Sequence, residues 1–280
     1  MNVAQLESLI DPIIDIAQDA GELILQVYRG EFEVEIKGDG TPLTIADKRA
    51  HNLICQRLLE LTPDIPVLSE ESRDIHYDDR RHWKTYWLVD PLDGTKEFVK
   101  QSGEFTVNIA LMVENQPALG VVHTPVKQWT HWGWHNGGAW KQVDTGQAER
   151  ITANVYTGGK ATVVASKSHG QAKLEQFLDN LKAKEGDYAV ANMGSALKIC
   201  LVAEGQGDIY PRLGLTSEWD TASAHIIIRE AGGRIIQAAD QTSGDEVIYN
   251  KPDILNPYFL AIGAGDYDWI PLLQGIDTQP

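Results

Sequence analysis

Two cysteines in 280 residues, Cys55 and Cys200, are too few for a disulfide framework. Both stand inside apolar helical patterns, Leu53-Ile54-Cys55 and Ile199-Cys200-Leu201-Val202. They read as buried thiols of a protein in a reducing cytosol rather than as a redox pair or metal site. No run approaches the ~18 consecutive apolar residues that a membrane-spanning helix needs, which leaves only peripheral attachment to a membrane open. The N-terminus lacks a basic stretch followed by a pure apolar core. Asp11, Asp15, Asp19 and Glu22 interrupt its apolar positions, so it does not read as a signal peptide. Basic residues are scarce: 24 Lys and Arg stand against 40 Asp and Glu, a formal charge of −16. That balance argues against long nucleic acids, whose affinity comes largely from cations neutralising phosphates. A small phosphorylated ligand is still compatible with it, provided something local reverses the field, and bound divalent metals do this. Internal repeats and low-complexity tracts are lacking too.

What is present has ordinary globular composition, 42% hydrophobic and 23% charged. The length suits one large domain or two packed closely. Apolar positions from Val3 to Val27 recur at helical spacing, with Gly30 closing the segment. A second helix is predicted over about 45–61, ending before Pro63. Between them, Phe32, Val34 and Ile36 alternate with glutamates as in a strand. Residues 86–140 are mostly strand: an apolar run 86–89 stopped by Asp90-Pro91, then 106–113, 118–122 and 129–134, with a hairpin signal at Asn136-Gly137-Gly138. The second half alternates strands (161–165, 208–210, 234–236, 259–262) with helices (172–184, 196–204, 220–231). Such alternation indicates α/β architecture. A boundary falls near 145–154, which gives an N-terminal α+β half, residues 1–150, and a C-terminal α/β half, residues 151–280.

The chemistry gathers at acidic turns. Asp90-Pro91-Leu92-Asp93-Gly94-Thr95 leaves the 86–89 strand with two carboxylates three residues apart, able to converge on one hard cation. The Leu92 carbonyl is free to turn toward the same ion. Oxygen-only donors suit Mg²⁺. A helix beginning at Thr95 would aim unpaired amides and the positive end of its dipole at a phosphate in that turn. Ser69-Glu70-Glu71, Asp47 and Trp219-Asp220 each have a bland reading as solvated acids or helix-start residues.

In their order and wording, Thr44-Ile45-Ala46-Asp47, Ser69-Glu70-Glu71, Asp90–Thr95 and Trp219-Asp220-Thr221-Ala222 resemble the inositol monophosphatase-like superfamily of lithium-sensitive phosphatases, from Gly21 to about Ala261. The strings Val89–Phe98 and Leu201–Gln206 narrow the resemblance to its bacterial bisphosphate-nucleotidase branch, which removes the 3'-phosphate of 3'-phosphoadenosine 5'-phosphate. The resemblance implies a layered αβαβα sandwich and a small phosphorylated nucleotide as substrate. It implies two or more Mg²⁺ ions, one held by Glu70, Asp90 and the Leu92 carbonyl, another by Asp90, Asp93 and Asp220. Asp47 and Thr95, with Glu70, would orient and activate the attacking water, and the Gly94 and Thr95 amides would bind phosphate. Glu70, Leu92, Asp93 and Asp220 would also line the substrate site. Ser223-Ala224 stands where relatives often have Ala-Gly, which puts the packing of that helix in question.

Arg212 and Lys198, with Ser195 in the preceding Gly194-Ser195-Ala196, are candidate contacts to the rest of the substrate. A cation pair beside a metal site suits a second phosphate. His131 and His135 have the spacing of a helical zinc pair but fall in a hairpin, so structural roles are expected. Gly158-Gly159-Lys160 lacks the spaced glycine and the Ser/Thr of a phosphate loop. An inositol monophosphatase or sugar bisphosphatase on the same fold is the rival enzyme. A regulatory module without turnover is the rival outside catalysis.

Overall fold

The computed structural model describes residues 1–30, 34–36, 42–72, 75–165, 171–238 and 244–278. Phe32, expected in the first strand, lies outside them. In chain order the elements are α1 (Val3–Tyr28), β1 (Val34–Ile36), β2 (Pro42–Thr44), α2 (Ile45–Leu61), β3 (Val67–Ser69), α3 (Tyr77–Arg80), β4 (Thr85–Asp93), α4 (Thr95–Val99), β5 (Thr106–Val113), β6 (Gln116–Thr124), β7 (Trp129–Trp134), β8 (Gly138–Val143) and β9 (Glu149–Ile151). There follow β10 (Ala161–Ala165), α5 (Gln171–Glu185), β11 (Tyr188–Asn192), α6 (Leu197–Ala203), β12 (Ile209–Arg212), α7 (Ala222–Glu230), β13 (Arg234–Gln237) and β14 (Phe259–Ile262).

A seven-stranded sheet runs β3-β4-β5-β6-β7-β8-β9, and a five-stranded sheet runs β11-β10-β12-β14-β13. Beyond the parallel β3–β4 pair, the larger sheet is an antiparallel meander. Alternation along β4 shows how the layers form. Trp87 and Val89 pack with the apolar stripes of α1 and α2, including Ile13, Ile24, Ile54 and Leu58. Tyr86 and Leu88 face the opposite core with Ile199 and Cys200 of α6 and Ile227 and Ile228 of α7. That core also holds Tyr210, Phe259 and Ala261 of the smaller sheet. On the far face, Val163, Ile209 and Leu260 meet Phe177 and Leu181 of α5. The order is therefore helices, sheet, helices, sheet, helix. With both faces covered, central strands such as β5, β10 and β14 read as largely apolar runs.

Helix α7 lies against β6 at Gly120, where a Cβ would come within 2.3 Å of the Ser223 carbonyl oxygen. Ser223, at the Ser-Ala departure, is buried in a regular helix there. The segment 145–154, read as a boundary, contains β9, which pairs with β8. His131 is buried on β7 and His135 follows that strand, in the hairpin expected of them. Among the described residues no helix is long and apolar enough to cross a membrane.

Candidate metal and phosphate site

Sequence reading ended the strand at Asp90-Pro91, but β4 continues to Asp93, and the reason shapes the site. Side chains alternate along a strand, so residues three apart ordinarily point to opposite faces. Asp90 is opposite Asn108 and Asp93 opposite Thr106, with only Val107 between them to match Pro91 and Leu92. Two residues against one is a β-bulge. It returns Asp93 to the face of Asp90, just as Thr106 and Asn108 share a face of regular β5. Pro91 sits within the bulge, where a missing ladder donor costs little. The Leu92 amide donates to Asp90 Oδ1 at 3.1 Å, which fixes the turn.

The other acids arrive from separate elements. In the parallel β3–β4 pair Ser69 is opposite Val89, so Glu70, next in chain, leaves the sheet beside Asp90. Asp47 is fully buried in the first turn of α2. Asp220 comes from the C-terminal half. It was expected to open the helix, but α7 starts at Ala222, and Glu218–Asp220 form a separate 3-10 turn capped by Ser217. Asp220 reaches back to accept the Ser217 amide at 2.9 Å, so its cap is that of the tight turn. Asp90, Asp93 and Asp220 each offer an oxygen within 4.8 Å of the others.

Electrostatics agrees with this convergence. Burial, then Glu70, Asp93, Asp220 and Asp47, drive the Asp90 pKa well above its ordinary value. Burial, then Asp93 and Glu70, push Asp220 up to about 8, against the opposing Ser217 amide and Arg212. Asp90 and Asp220 are thus both raised by like charges close at hand, the pattern of carboxylates gathered where a cation would bind. The donor set is oxygen only, which fits hard divalent cations such as Mg²⁺. Such cations reverse the local field.

Beside the acids, Gly94 takes a left-handed conformation, φ 92°, and caps α4, whose first residue is Thr95. The Phe98 amide closes on the Gly94 carbonyl at 2.9 Å, which leaves the preceding amides at the helix start. Ser195 turns its hydroxyl to Asp93 and Thr106. Lys198 is buried on α6, with its ammonium donating to the Ser195 carbonyl at 2.7 Å and lying 5.4 Å from the Tyr210 ring centre. Arg212, at the end of β12, is half-buried and donates to the Leu215 carbonyl at 2.7 Å. Burial opposes its charge, but Tyr210 and Asp220 outweigh that, so its pKa is raised.

Sequence reasoning missed the frame of the Asp220 turn. Glu218, fully buried, accepts the Asn250 amide at 2.8 Å, the Lys251 amide at 3.0 Å and Lys251 Nζ at 2.6 Å. Arg80 donates to Asn250 Oδ1 and the Lys251 carbonyl, and the Asn256 amide group donates to the Ser217 carbonyl, each at 2.7 Å. The Glu218 and Arg80 partners lie 32 to 171 residues away, so no local signal marks them.

A layered αβαβα sandwich with carboxylates converging from both halves defines a class of metal-dependent phosphatases. Residues 5–263 match the profile of the inositol monophosphatase family, and the chain belongs to that family. The 3'(2'),5'-bisphosphate nucleotidase CysQ of Escherichia coli (strain K12) is 44% identical over 254 residues, 90% of this chain and 98% of that one. The 3'(2'),5'-bisphosphate nucleotidase CysQ of Haemophilus influenzae is 35% identical over 271 residues, 96% of this chain and 97% of its own length. The crystal structure of CysQ from Bacteroides thetaiotaomicron, a bacterial member of the inositol monophosphatase family, matches with TM-score 0.81 and 40% identity, covering 95% of this chain and 100% of that one. An inositol monophosphatase from Thermotoga maritima, 23% identical with TM-score 0.76, shares the fold over 95% of this chain and 96% of its own.

Proposed function

We propose that this chain is a Mg²⁺-dependent phosphomonoesterase that converts 3'-phosphoadenosine 5'-phosphate to AMP and inorganic phosphate. The convergence of Asp90, Asp93 and Asp220 to within 4.8 Å carries the reading. The likeness to nucleotidases at 35% to 45% identity supports the substrate. Glu70, Asp90 and the Leu92 carbonyl would hold one Mg²⁺, and Asp90, Asp93 and Asp220 a second. Mg²⁺ held there supplies Lewis-acid stabilisation of phosphoryl charge and a lowered pKa for water. Asp47, Thr95 and Glu70 would orient the attacking water by hydrogen bonds, its proton passing to a carboxylate, either Glu70 or, relayed by the Thr95 hydroxyl, Asp47. The amides at Gly94 and Thr95 hold the phosphoryl oxygens. Arg212, planar and charged, suits bidentate contact with the second phosphate. Lys198 adds positive potential from behind Ser195.

On this reading residues 1–150 carry every cation ligand except Asp220, and residues 151–280 add Asp220 and the groups that select the substrate. Both cysteines are free, which suits a reducing cytoplasm.

The test is kcat/KM on three substrates: 3'-phosphoadenosine 5'-phosphate, inositol 1-phosphate and fructose 1,6-bisphosphate. The nucleotide should lead by at least about tenfold, a difference of about 1.4 kcal/mol in transition-state binding. Arg212→Glu should lower kcat/KM for the nucleotide far more than for inositol 1-phosphate. Equal losses, or faster turnover of inositol 1-phosphate by the parent, would overturn the substrate assignment.

A further inference from the structure

The segment that joins β11 to α6 crosses from the smaller sheet to the larger one, and its polar groups end on a single atom. Asp93 Oδ2 accepts a hydrogen bond from the Ser195 hydroxyl and another, at 2.7 Å, from the Ala196 amide. The same hydroxyl meets Thr106 Oγ1 at 2.5 Å. Thr106 stands opposite Asp93 across the bulge. From behind, Lys198 Nζ donates to the Ser195 carbonyl at 2.7 Å. Ser195 itself has φ 53°, in the left-handed region that side-chain-bearing residues avoid. Such a conformation persists where the surroundings over-determine it. Its result here is that a hydroxyl and the next amide point at one carboxylate oxygen.

A serine hydroxyl has one proton. Ser195 gives that proton to Asp93 and can accept one from Thr106, so it has no donor left for a substrate. Meanwhile Asp93 would otherwise turn freely, because the terminal torsion of a carboxylate is broad. Two donors on Oδ2 hold the carboxylate in one orientation and leave Oδ1, which takes neither of them, for a cation.

We propose that Ser195 is a positioning residue for Asp93, presenting Oδ1 to the bound cation, and is not a contact to substrate. The proposal rests on the reading of Asp93 as a cation ligand. It adds that the C-terminal half sets the geometry of a ligand carried by the larger sheet, through Ser195 and Ala196.

The informative variant is Ser195→Gly, because glycine tolerates φ 53° and removes the hydroxymethyl group without straining the backbone. Its melting temperature without metal should be no lower than the parent's. Binding of Mn²⁺ to the substrate-free protein, measured by electron paramagnetic resonance, should weaken about 10–100-fold, the usual effect of losing an outer-shell partner of a ligand. The Mg²⁺ concentration for half-maximal rate should rise in step, while KM for the nucleotide at saturating Mg²⁺ moves less than about twofold. Thr106→Val should shift Mn²⁺ affinity in the same direction by less. Unchanged Mn²⁺ affinity in Ser195→Gly, or a raised nucleotide KM with cation affinity intact, would overturn the proposal. Asp93→Asn separates the two levels. If it weakens Mn²⁺ binding and Ser195→Gly does not, only the positioning role fails; if it leaves binding unchanged, the ligand assignment fails with it.

Discussion

Glu218 and Asp220 stand two residues apart on one tight turn, and their surroundings differ in kind. Glu218 is sealed from solvent but met by a lysine ammonium and two backbone amides. Asp220 receives the Ser217 amide, and it confronts the carboxylates of Asp93 and Glu70. A buried carboxylate with its counterion in place serves the fold. One whose nearest charged neighbours are mostly carboxylates stores repulsion that folding alone would not keep, and such perturbed groups cluster at functional sites. The same contrast recurs at Glu204, whose side chain is buried but paired with Lys141. Burial of acid therefore does not mark the site; burial among like charges does.

The largest expected effect breaks the uncompensated side. Asp90→Asn removes the group that would bridge both cations. Loss of several kcal/mol of charge stabilisation corresponds to a fall in kcat/KM of roughly 10³-fold or more. Without metal the variant should melt no lower than the parent, since it relieves repulsion around a buried group. Near-parental turnover at ordinary Mg²⁺, measured by phosphate release, would remove Asp90 from the role.

Next comes the contrast itself. Glu218→Gln leaves Lys251 without its partner. Breaking a buried pair costs about 3–5 kcal/mol, and the lower figure applies because Lys251 keeps 16% of its side chain exposed. At about 2–4 °C per kcal/mol for a domain near this size, the drop in Tm is on the order of 10 °C. Asp220→Asn should keep the metal-free Tm or raise it, and should lose most of the stabilisation that Mg²⁺ confers. Calorimetry of both variants with EDTA and with Mg²⁺ decides this, and a reversed pattern would invert the two assignments.

The smallest effect is in pH. A carboxyl whose native pKa exceeds its unfolded value holds more protons in the folded state, so its contribution to stability is complete below the unfolded pKa. For Asp220 that contribution is lost as pH rises from 3.8 toward about 8. His123 has the opposite sign over a different range. Burial lowers its pKa from 6.5 to about 4, so its contribution is complete above 6.5 and lost as pH falls toward 4. Between pH 6.5 and 8 only the Asp220 slope remains of these two. The metal-free protein should therefore lose Tm across that window, and saturating Mg²⁺ should flatten the decline. A metal-free curve that is level or rises with pH would show that the cluster is not strained as described.

Much of this molecule was legible from residue order. The period of α1, the boundaries of α2 at Ile45 and Leu61, and the runs that became β5, β7, β10 and β14 follow from local pattern. Local pattern suffices there because the α1 stripe has the helical period, and the strands are short apolar runs bounded by turn residues. The acidic turns and the Gly94-Thr95 helix start were equally visible, and motif wording pointed to the family. The extent of β4 and the start of α7 were not legible. The β4 bulge depends on the register against β5, and the Asp220 turn depends on a frame built by residues near 80 and 250.

The sequence by itself determined which groups are available: oxygen donors at turns, a helix start with free amides, and cations in an otherwise acidic chain. Tertiary structure alone decided which of them meet. A one-residue bulge turned Asp93 to the face of Asp90. Packing of two sheets about α6 and α7 brought Asp220 across to them, and the approach of residues 195–196 set the hydroxyl of Ser195 on a carboxylate. Each of these depends on side-chain direction at separations of up to 130 residues. A chain's local periodicity carries no information about that until register and layer packing are in place.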